Sequence, residues 1–288
     1  MNYLGFVWRQ WTVKPRPLPP SLSLQGKTAL ITGANSGLGL EAARALVSRR
    51  LSRLIIAVRD VSKGEAAKTE ILEAPDASPN CEIHVWPLDH ESYQSIAEFG
   101  KKVEQLDRLD YVLLNAGVKI MRYNKSLSGH EMNVQINHIG TSAVSLAVLP
   151  ILRRTAQKLN APTRLTIVSS EGHFWIPFKE RNAENILEHM DKPEAFGTQV
   201  QRYYTSKLLN VLWTRELAQK TEKSEVVINT VNPGFCYSGL HRSSPSAINI
   251  FLWLFAWTQQ QGGYCLADAL VQHDGSHGAY LSEQRETR

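Results

Sequence analysis

Thr32-Gly33-Ala34-Asn35-Ser36-Gly37-Leu38-Gly39 is the stretch on which the fold turns. It follows the apolar run TALIT at 28–32 and opens a helical pattern over 38–49. Between a strand and a helix, glycines let the backbone turn tightly and approach a ligand, while the first helical turn offers unpaired N–H groups to an anion. The spacing is Gly-x-x-x-Gly-x-Gly rather than Gly-x-Gly-x-x-Gly. A glycine triplet alone carries little weight; its place in a strand–turn–helix unit is the context such a motif requires.

Working outward, short apolar runs at 28–32, 54–58, 83–87, 111–115, 165–169 and 226–231 read as strands covered on both faces. Helical patterns fall between them at 38–49, 61–72, 92–105, 131–159 and 200–220. This alternation predicts an α/β fold, a Rossmann-type doubly wound parallel sheet in a single domain over 27–288. Residues 1–26 form an arm with Tyr3, Phe6, Trp8 and Trp11 followed by prolines from Pro15 to Pro20, a composition that favours an extended spacer. The arm is expected to pack on the domain, with a partner or membrane contact as the other reading.

Composition narrows the function classes. The 288 residues are 43% hydrophobic and 20% charged with a formal charge of +5, which is ordinary for a globular chain. Lys and Arg are scattered rather than striped, so no nucleic-acid surface is expected. Cys81, Cys236 and Cys265 make no CxxC pair and the nine histidines lack ligand spacing, so neither a metal nor a disulfide framework is expected. Arg9 interrupts the N-terminal apolar stretch, and the run at 248–257 is well short of the ~20 residues a spanning helix needs. A cytoplasmic location follows, with peripheral membrane contact as the lesser reading.

The glycine stretch resembles the motif of the short-chain dehydrogenase/reductase superfamily, and further matches follow in order over 27–282. Asn115-Ala116-Gly117 closes the fourth strand, Asp89 follows the third in Pro87-Leu88-Asp89, and Pro233-Gly234 with Ser238 follows the sixth. The resemblance implies a nicotinamide dinucleotide held by Gly33, Asn35, Ser36, Gly37, Leu38, Gly39, Asp89, Asn115, Ala116, Gly117, Pro233, Gly234 and Ser238, with Tyr203 and Lys207. At the end of the second strand, Arg59, assisted by Lys63, could pair with a ribose 2′-phosphate, which points to NADP(H). Asp60, one residue on, would instead suit the 2′-hydroxyl of NAD(H).

Tyr203 and Lys207 stand four residues apart, on one helical face. A phenol with its ordinary pKa of ~10 exchanges protons poorly near neutrality, and a nearby ammonium or the oxidised nicotinamide would lower it. The resemblance adds Ser170, with Ser169 as the adjacent alternative, to hydrogen-bond the substrate oxygen, and Asn137 to hold a relay water next to the lysine. The implied reaction moves a hydride between nicotinamide and a carbonyl or alcohol; a non-catalytic NADP(H)-binding sensor or scaffold is the alternative.

The pattern Ala57-Val58-Arg59-Asp60, with Leu212-Trp213-Thr214-Arg215-Glu216-Leu217, is similar to the retinol-dehydrogenase-like branch, including fungal members that serve secondary metabolism. That implies a fairly apolar small-molecule substrate. Two departures stand out: Leu114 replaces the family's first asparagine, and the chain ends soon after Ser282, where related proteins continue. Substrate recognition is expected in 173–199 and in a flap at about 236–261. The flap aromatics Phe251, Trp253, Phe255 and Trp257 could line a pocket or core, meet a second copy in a homodimer, or touch a membrane.

Overall fold

The computed structural model describes residues 3–198, 200–237 and 255–287. Its strands are β1 (Thr28–Thr32), β2 (Arg53–Val58), β3 (Glu82–Pro87), β4 (Tyr111–Leu114), β5 (Thr163–Val168), β6 (Val226–Asn232), β7 (Tyr280–Ser282) and β8 (Arg285–Thr287). They form one sheet in the order β3-β2-β1-β4-β5-β6-β7-β8. β1 to β7 are parallel, and β8 returns antiparallel to β7.

The helices among the described residues are α1 (Tyr3–Thr12), α2 (Gly37–Val47), α3 (Val61–Leu72), α4 (Tyr93–Glu104), α5 (Met132–Val134), α6 (Thr141–Leu159), α7 (Ile186–Met190), α8 (Gln201–Gln219) and α9 (Gln259–Val271). The period-two geometry of a strand shares its apolar residues between two cores. Ile31, Leu54, Ile56 and Val58 face the layer of α2, α3 and α9, where they meet Leu46, Ile71 and Leu266. Leu30, Ile55 and Ala57 face the layer of α4, α6 and α8, where they meet Phe99, Val148 and Leu217. Each fully buried Leu or Ile contributes about 1.5–3 kcal/mol. An all-apolar strand therefore holds helices on both faces, which is why β1 and β2 show no alternation in sequence; β3, expected to be covered on both faces, lies at the sheet edge with Glu82, His84 and Pro87 exposed.

Several elements depart from the sequence expectation. The arm is not wholly extended, because Tyr3–Thr12 is helical. So short a helix is marginal alone, and it is held here by contacts from Phe6, Arg9 and Gln10 to the domain. The expected helix at 131–159 is divided by a π-turn, Gln135–Gly140, between α5 and α6. The segment Met132–Leu159 is long and apolar enough to cross a membrane, but its most apolar window is 67% buried, as in a core helix. β7, β8 and α9 were not foreseen. Of the expected flap, 238–254 lies outside the described residues, including Ser238, Phe251 and Trp253. On its flanks, Cys236 bridges Trp257, which is buried.

From β1 the chain winds outward to β3, then crosses to β4 and winds the other way. The strand order thus switches between β1 and β4, where a crevice opens beyond the carboxyl ends of the strands.

Candidate active site

Thr32, the last residue of β1, ties the switch point together. Its Oγ1 accepts from the main-chain N–H groups of Asn115 and Ala116, both at 3.0 Å. The Asn115 amide reaches back to donate to the carbonyls of Thr32 (3.0 Å) and Gly33 (3.2 Å). Asn115 therefore braces the glycine loop from behind while also lining the cleft.

The glycines serve different ends. A Cβ on Gly33 would lie 2.9 Å from Ala116 Cα, and one on Gly39 would lie 2.4 Å from Asn115 Nδ2, so both are set by packing. Gly37 has φ +63, and nothing lies within 4 Å of where its Cβ would be. It needs glycine's backbone freedom and leaves room beside α2. Ser36 precedes α2 with no side-chain cap bond, so the N–H groups of the first turn are left for a ligand. A glycine cradle with open space and uncapped donors fits the pyrophosphate of a dinucleotide.

The cleft that starts there has a volume of about 570 Å³. At one end it is lined by Arg59, Asp60 and Lys63, then by Asn35, Ser36, Gly37 and Leu38, and further on by Asp89, Asn115, Ala116 and Gly117. It ends at Ser169, Tyr203, Lys207 and Pro233. Gly39, Asn137, Ser170 and Gly234 are not among its wall residues, and Ser238 lies outside the described residues. Gly234 has φ +80 and faces the ring of Trp257, so its role is to let the chain pass that ring.

At the far end of β2, the Asp60 carboxylate caps α3, accepting from Lys63 N at 3.2 Å and pairing with Lys63 Nζ at 3.3 Å. The main-chain bond from Lys63 holds the Asp60 carboxyl below its ordinary range. Arg59 is exposed and lines the cleft. Asp89 closes a turn of its own, Oδ1 accepting from Glu91 N at 3.0 Å.

The proton-transfer end is built on α8. Lys207 lies one helical turn after Tyr203, its Nζ 6.0 Å from the Tyr203 ring centre. Both side chains are buried. Lys207 Nζ donates to Val168 O at 3.0 Å, and burial lowers its pKa to about 8. Burial raises the Tyr203 phenol above its ordinary value. The expectation that Lys207 would lower the tyrosine is thus not met in the chain alone: at this separation desolvation outweighs the ammonium.

Asn137 sits in the π-turn with its amide fully engaged. Oδ1 accepts from Val118 N at 2.7 Å, and Nδ2 donates to Val118 O (2.9 Å) and Ser206 Oγ (3.0 Å). A Cβ on Gly117 would lie 3.0 Å from Asn137 Oδ1 and 3.4 Å from Lys207 Nζ, so these three converge. The two serines differ in how their protons are used. Ser169 Oγ donates to Lys207 O at 2.8 Å, whereas Ser170 Oγ accepts from Gly172 N at 3.4 Å at the head of a short 3₁₀ turn, Glu171–Trp175.

Three cleft features gave no motif signal. Lys119 Nζ lies 5.9 Å from the Tyr203 ring centre, and burial lowers its pKa. Ile120 lines the same wall. His90 is buried, its Nδ1 donating to Ile136 O in the π-turn at 3.3 Å, and burial pulls its pKa down to about 4. Each follows a recognised motif by one to three positions, so only their placement identifies them.

The model of the short chain dehydrogenase family matches residues 27–170. A short chain dehydrogenase of Alternaria solani, sol3, is 54% identical over 282 residues, spanning 98% of this chain and 97% of its own length. The short chain dehydrogenase yanD of Aspergillus niger is 37% identical, covering 94% of this chain and 86% of its own. Among solved structures, the Pseudomonas aeruginosa RhlG/NADP active-site complex superposes with a TM-score of 0.66 at 22% identity, over 92% of this chain and 97% of that one. With the glycine cradle, the switch-point cleft and this similarity together, the chain belongs to the short-chain dehydrogenase/reductase family.

Proposed function

We propose that the protein is an NADP(H)-dependent oxidoreductase that reduces a carbonyl group, or oxidises the matching alcohol, on a fairly apolar small molecule of fungal secondary metabolism. The observation that carries the reading is one continuous cleft running from the Arg59 cation past the open Gly37 cradle to Tyr203 and Lys207. The fungal origin of the relatives supports the metabolic setting.

A nicotinamide dinucleotide held in this cleft supplies or accepts the hydride. Gly33, Asn35, Ser36, Gly37 and Leu38 would hold its pyrophosphate, with Gly39 packing the loop against Asn115. Asp89, Asn115, Ala116, Gly117 and Pro233 would hold its remaining parts, with Gly234 shaping the turn after Pro233. Arg59 would pair with a 2′-phosphate, assisted by Lys63, and the use of Asp60 as a helix cap supports NADP(H) over NAD(H).

Tyr203 donates its proton to the substrate oxygen as that oxygen gains charge. Burial keeps the phenol protonated across neutral pH, which favours the reductive direction. Ser170 polarises the same oxygen, since its hydroxyl proton is not committed in the way that of Ser169 is. Lys207 stands beside Gly117, where it would meet the ribose and return a proton to Tyr203. A water serving that return would be held by main-chain atoms of the π-turn, because the Asn137 amide is already engaged.

The test is NADPH consumption over a panel of aldehydes, aromatic ketones and polyketide-like ketones, with NADH and Tyr203→Phe in parallel. Turnover faster with NADPH and lost in Tyr203→Phe is expected. Tight NADPH binding with no turnover across the panel would overturn the enzymatic reading.

A further inference from the structure

Beyond the carboxyl ends of the strands, the dinucleotide cleft runs from the ends of β2 and β1 past β4 to Ser169 after β5 and Pro233 after β6. The β5–β7 side carries α1. Arg9 Nε donates to Glu283 Oε1 at 2.9 Å, and its other arm pairs with Glu171. Glu171 follows Ser170 at the end of β5, and Glu283 follows β7; their side chains are 2% and 8% exposed. Asn232 at the end of β6 links the two segments, accepting from Glu171 N at 3.1 Å and donating to Ser282 Oγ at 3.0 Å. Arg9 therefore bridges the segments after β5 and β7, and Asn232 of β6 ties the same two segments between them.

The next residue fixes α1 to the other flank. Gln10 exchanges two bonds with the main chain of Phe235, at 3.0 and 3.2 Å, and donates to Phe255 O at 3.1 Å. One turn earlier, Phe6 is buried with its ring edge-on to Trp175 at 4.9 Å and to Phe235 at 6.3 Å. Trp175 meets Tyr204 at 6.3 Å, and Tyr204 meets Tyr203 at 5.5 Å. An aromatic row thus leads from α1 to the tyrosine proposed to donate the proton.

We infer that α1 is a wall of the substrate site: Phe6, with Trp175 and Phe235, selects a ring-bearing aromatic ketone or aldehyde, and Arg9 is a positioning residue that holds the segment after Ser170. This rests on the reading of Ser170 and Tyr203 given above. In open α/β sheets ligands bind beyond the carboxyl ends of the strands, which is where α1 is anchored. A ten-residue helix has little stability of its own, so its placement follows from the Arg9 and Gln10 contacts. Two buried carboxylates without Arg9 would repel each other and push their segments apart. Edge-on aromatic surfaces in turn recognise flat rings better than short aliphatic chains.

Calorimetric titration of the full-length protein loaded with NADP+, which has no hydride to deliver, with an aromatic ketone and with a small aliphatic ketone tests this. Phe6→Ala should weaken the aromatic ketone at least fivefold relative to the aliphatic one, with NADPH affinity changed less than twofold. General loosening of the fold would weaken both ketones alike. Arg9→Met should lower kcat at least tenfold and Arg9→Lys should recover part of it. Should Phe6→Ala or Arg9→Met fail to fold, Phe6→Leu keeps the site apolar and should still shift the ratio of the two ketones. Wild-type affinity ratios in folded Phe6 variants would overturn the inference, as would a wild-type protein that binds no aromatic ketone. Tyr203→Phe separates the two readings: turnover retained in that variant removes the proton-donor assignment and leaves the binding result standing.

Discussion

Replacing Lys207 by methionine should abolish turnover yet make the cofactor-free protein more stable at neutral pH. Burial lowers the Lys207 pKa to about 8. Against the ordinary value near 10.4, that corresponds to about 3 kcal/mol of cost in keeping the ammonium charged in the native state, at 1.36 kcal/mol per unit. Methionine removes the charge and preserves the apolar stem. It also removes the bond from Nζ to Val168 O, but that carbonyl keeps a longer one from Asn210 Nδ2 at 3.5 Å. Losing the lysine bond costs about 1–2 kcal/mol, so the net gain is about 1–2 kcal/mol. In a domain of this size that raises Tm by about 2–4 °C.

The pH dependence fixes the cause. The native lysine has the depressed pKa, so below about 8 both states are protonated and the native state bears the full cost. As pH rises from about 8 toward 10.4, the native lysine loses its proton first, the unfolded chain binds more protons, and wild-type stability increases. Tyr203, Cys236 and the other groups titrating there are common to both proteins and cancel in the difference. Paired thermal melts at pH 7 and pH 9.5 should therefore show an advantage for Lys207→Met that shrinks at the higher pH. A variant that melts below wild type at pH 7, or an advantage independent of pH, would refute the reasoning.

Three further outcomes follow from the site. Arg59→Leu should raise KM for NADPH by roughly 10–100-fold while leaving KM for NADH little changed, since a charge-assisted phosphate pair is worth about 1.5–3 kcal/mol; steady-state kinetics with both cofactors checks it. Ser170→Ala should lower kcat by about 10²-fold without loss of Tm. Ser169→Ala should lower Tm and affect kcat indirectly, because it releases the bond to Lys207 O. Gly39→Ala forces a methyl group to within 2.4 Å of Asn115 Nδ2 and 2.7 Å of Gly33 O, so calorimetry should find dinucleotide binding lost and melts a destabilisation of about 1–3 kcal/mol.

What the sequence made legible was what depends on local chemistry. β1 was read to the residue, and the β2, β3 and β6 bounds differ by one, because short runs rich in Val, Ile and other strand-favouring residues between polar segments mark strands whatever their partners. The glycine cradle and the Tyr203–Lys207 step were legible for the same reason. β7 and β8 were not: each has three residues, too few for a periodic pattern, and β7 is fixed by pairing with β6. α9 has no clear local signal because its polar opening, Gln259, Gln260 and Gln261, is followed by two poor helix formers, Gly262 and Gly263. Its start is set instead by the reciprocal cap between Thr258 and Gln261, and its two glycines by closeness to α2 and Cys236.

The helix at the N-terminus shows where a propensity argument stops. Its sequence contains glycine, valine and four aromatics before a proline-rich run, so nothing local argues strongly for helix. Its stability comes instead from residues more than 150 positions away: Arg9 on Glu171 and Glu283, and Gln10 on Phe235 and Phe255. No spacing rule connects those positions. The same distance explains why the cofactor side of the site was more legible than the substrate side. The glycine cradle is one strand–turn–helix unit whose parts are consecutive in the chain, whereas the β5–β7 side is assembled from the N-terminus, the turn after Ser170, the segment after Gly234 and the end of β7. A nicotinamide site can be shared across a family because it is local. The wall we infer on the far side combines segments that can change independently, which would leave it free to set the substrate.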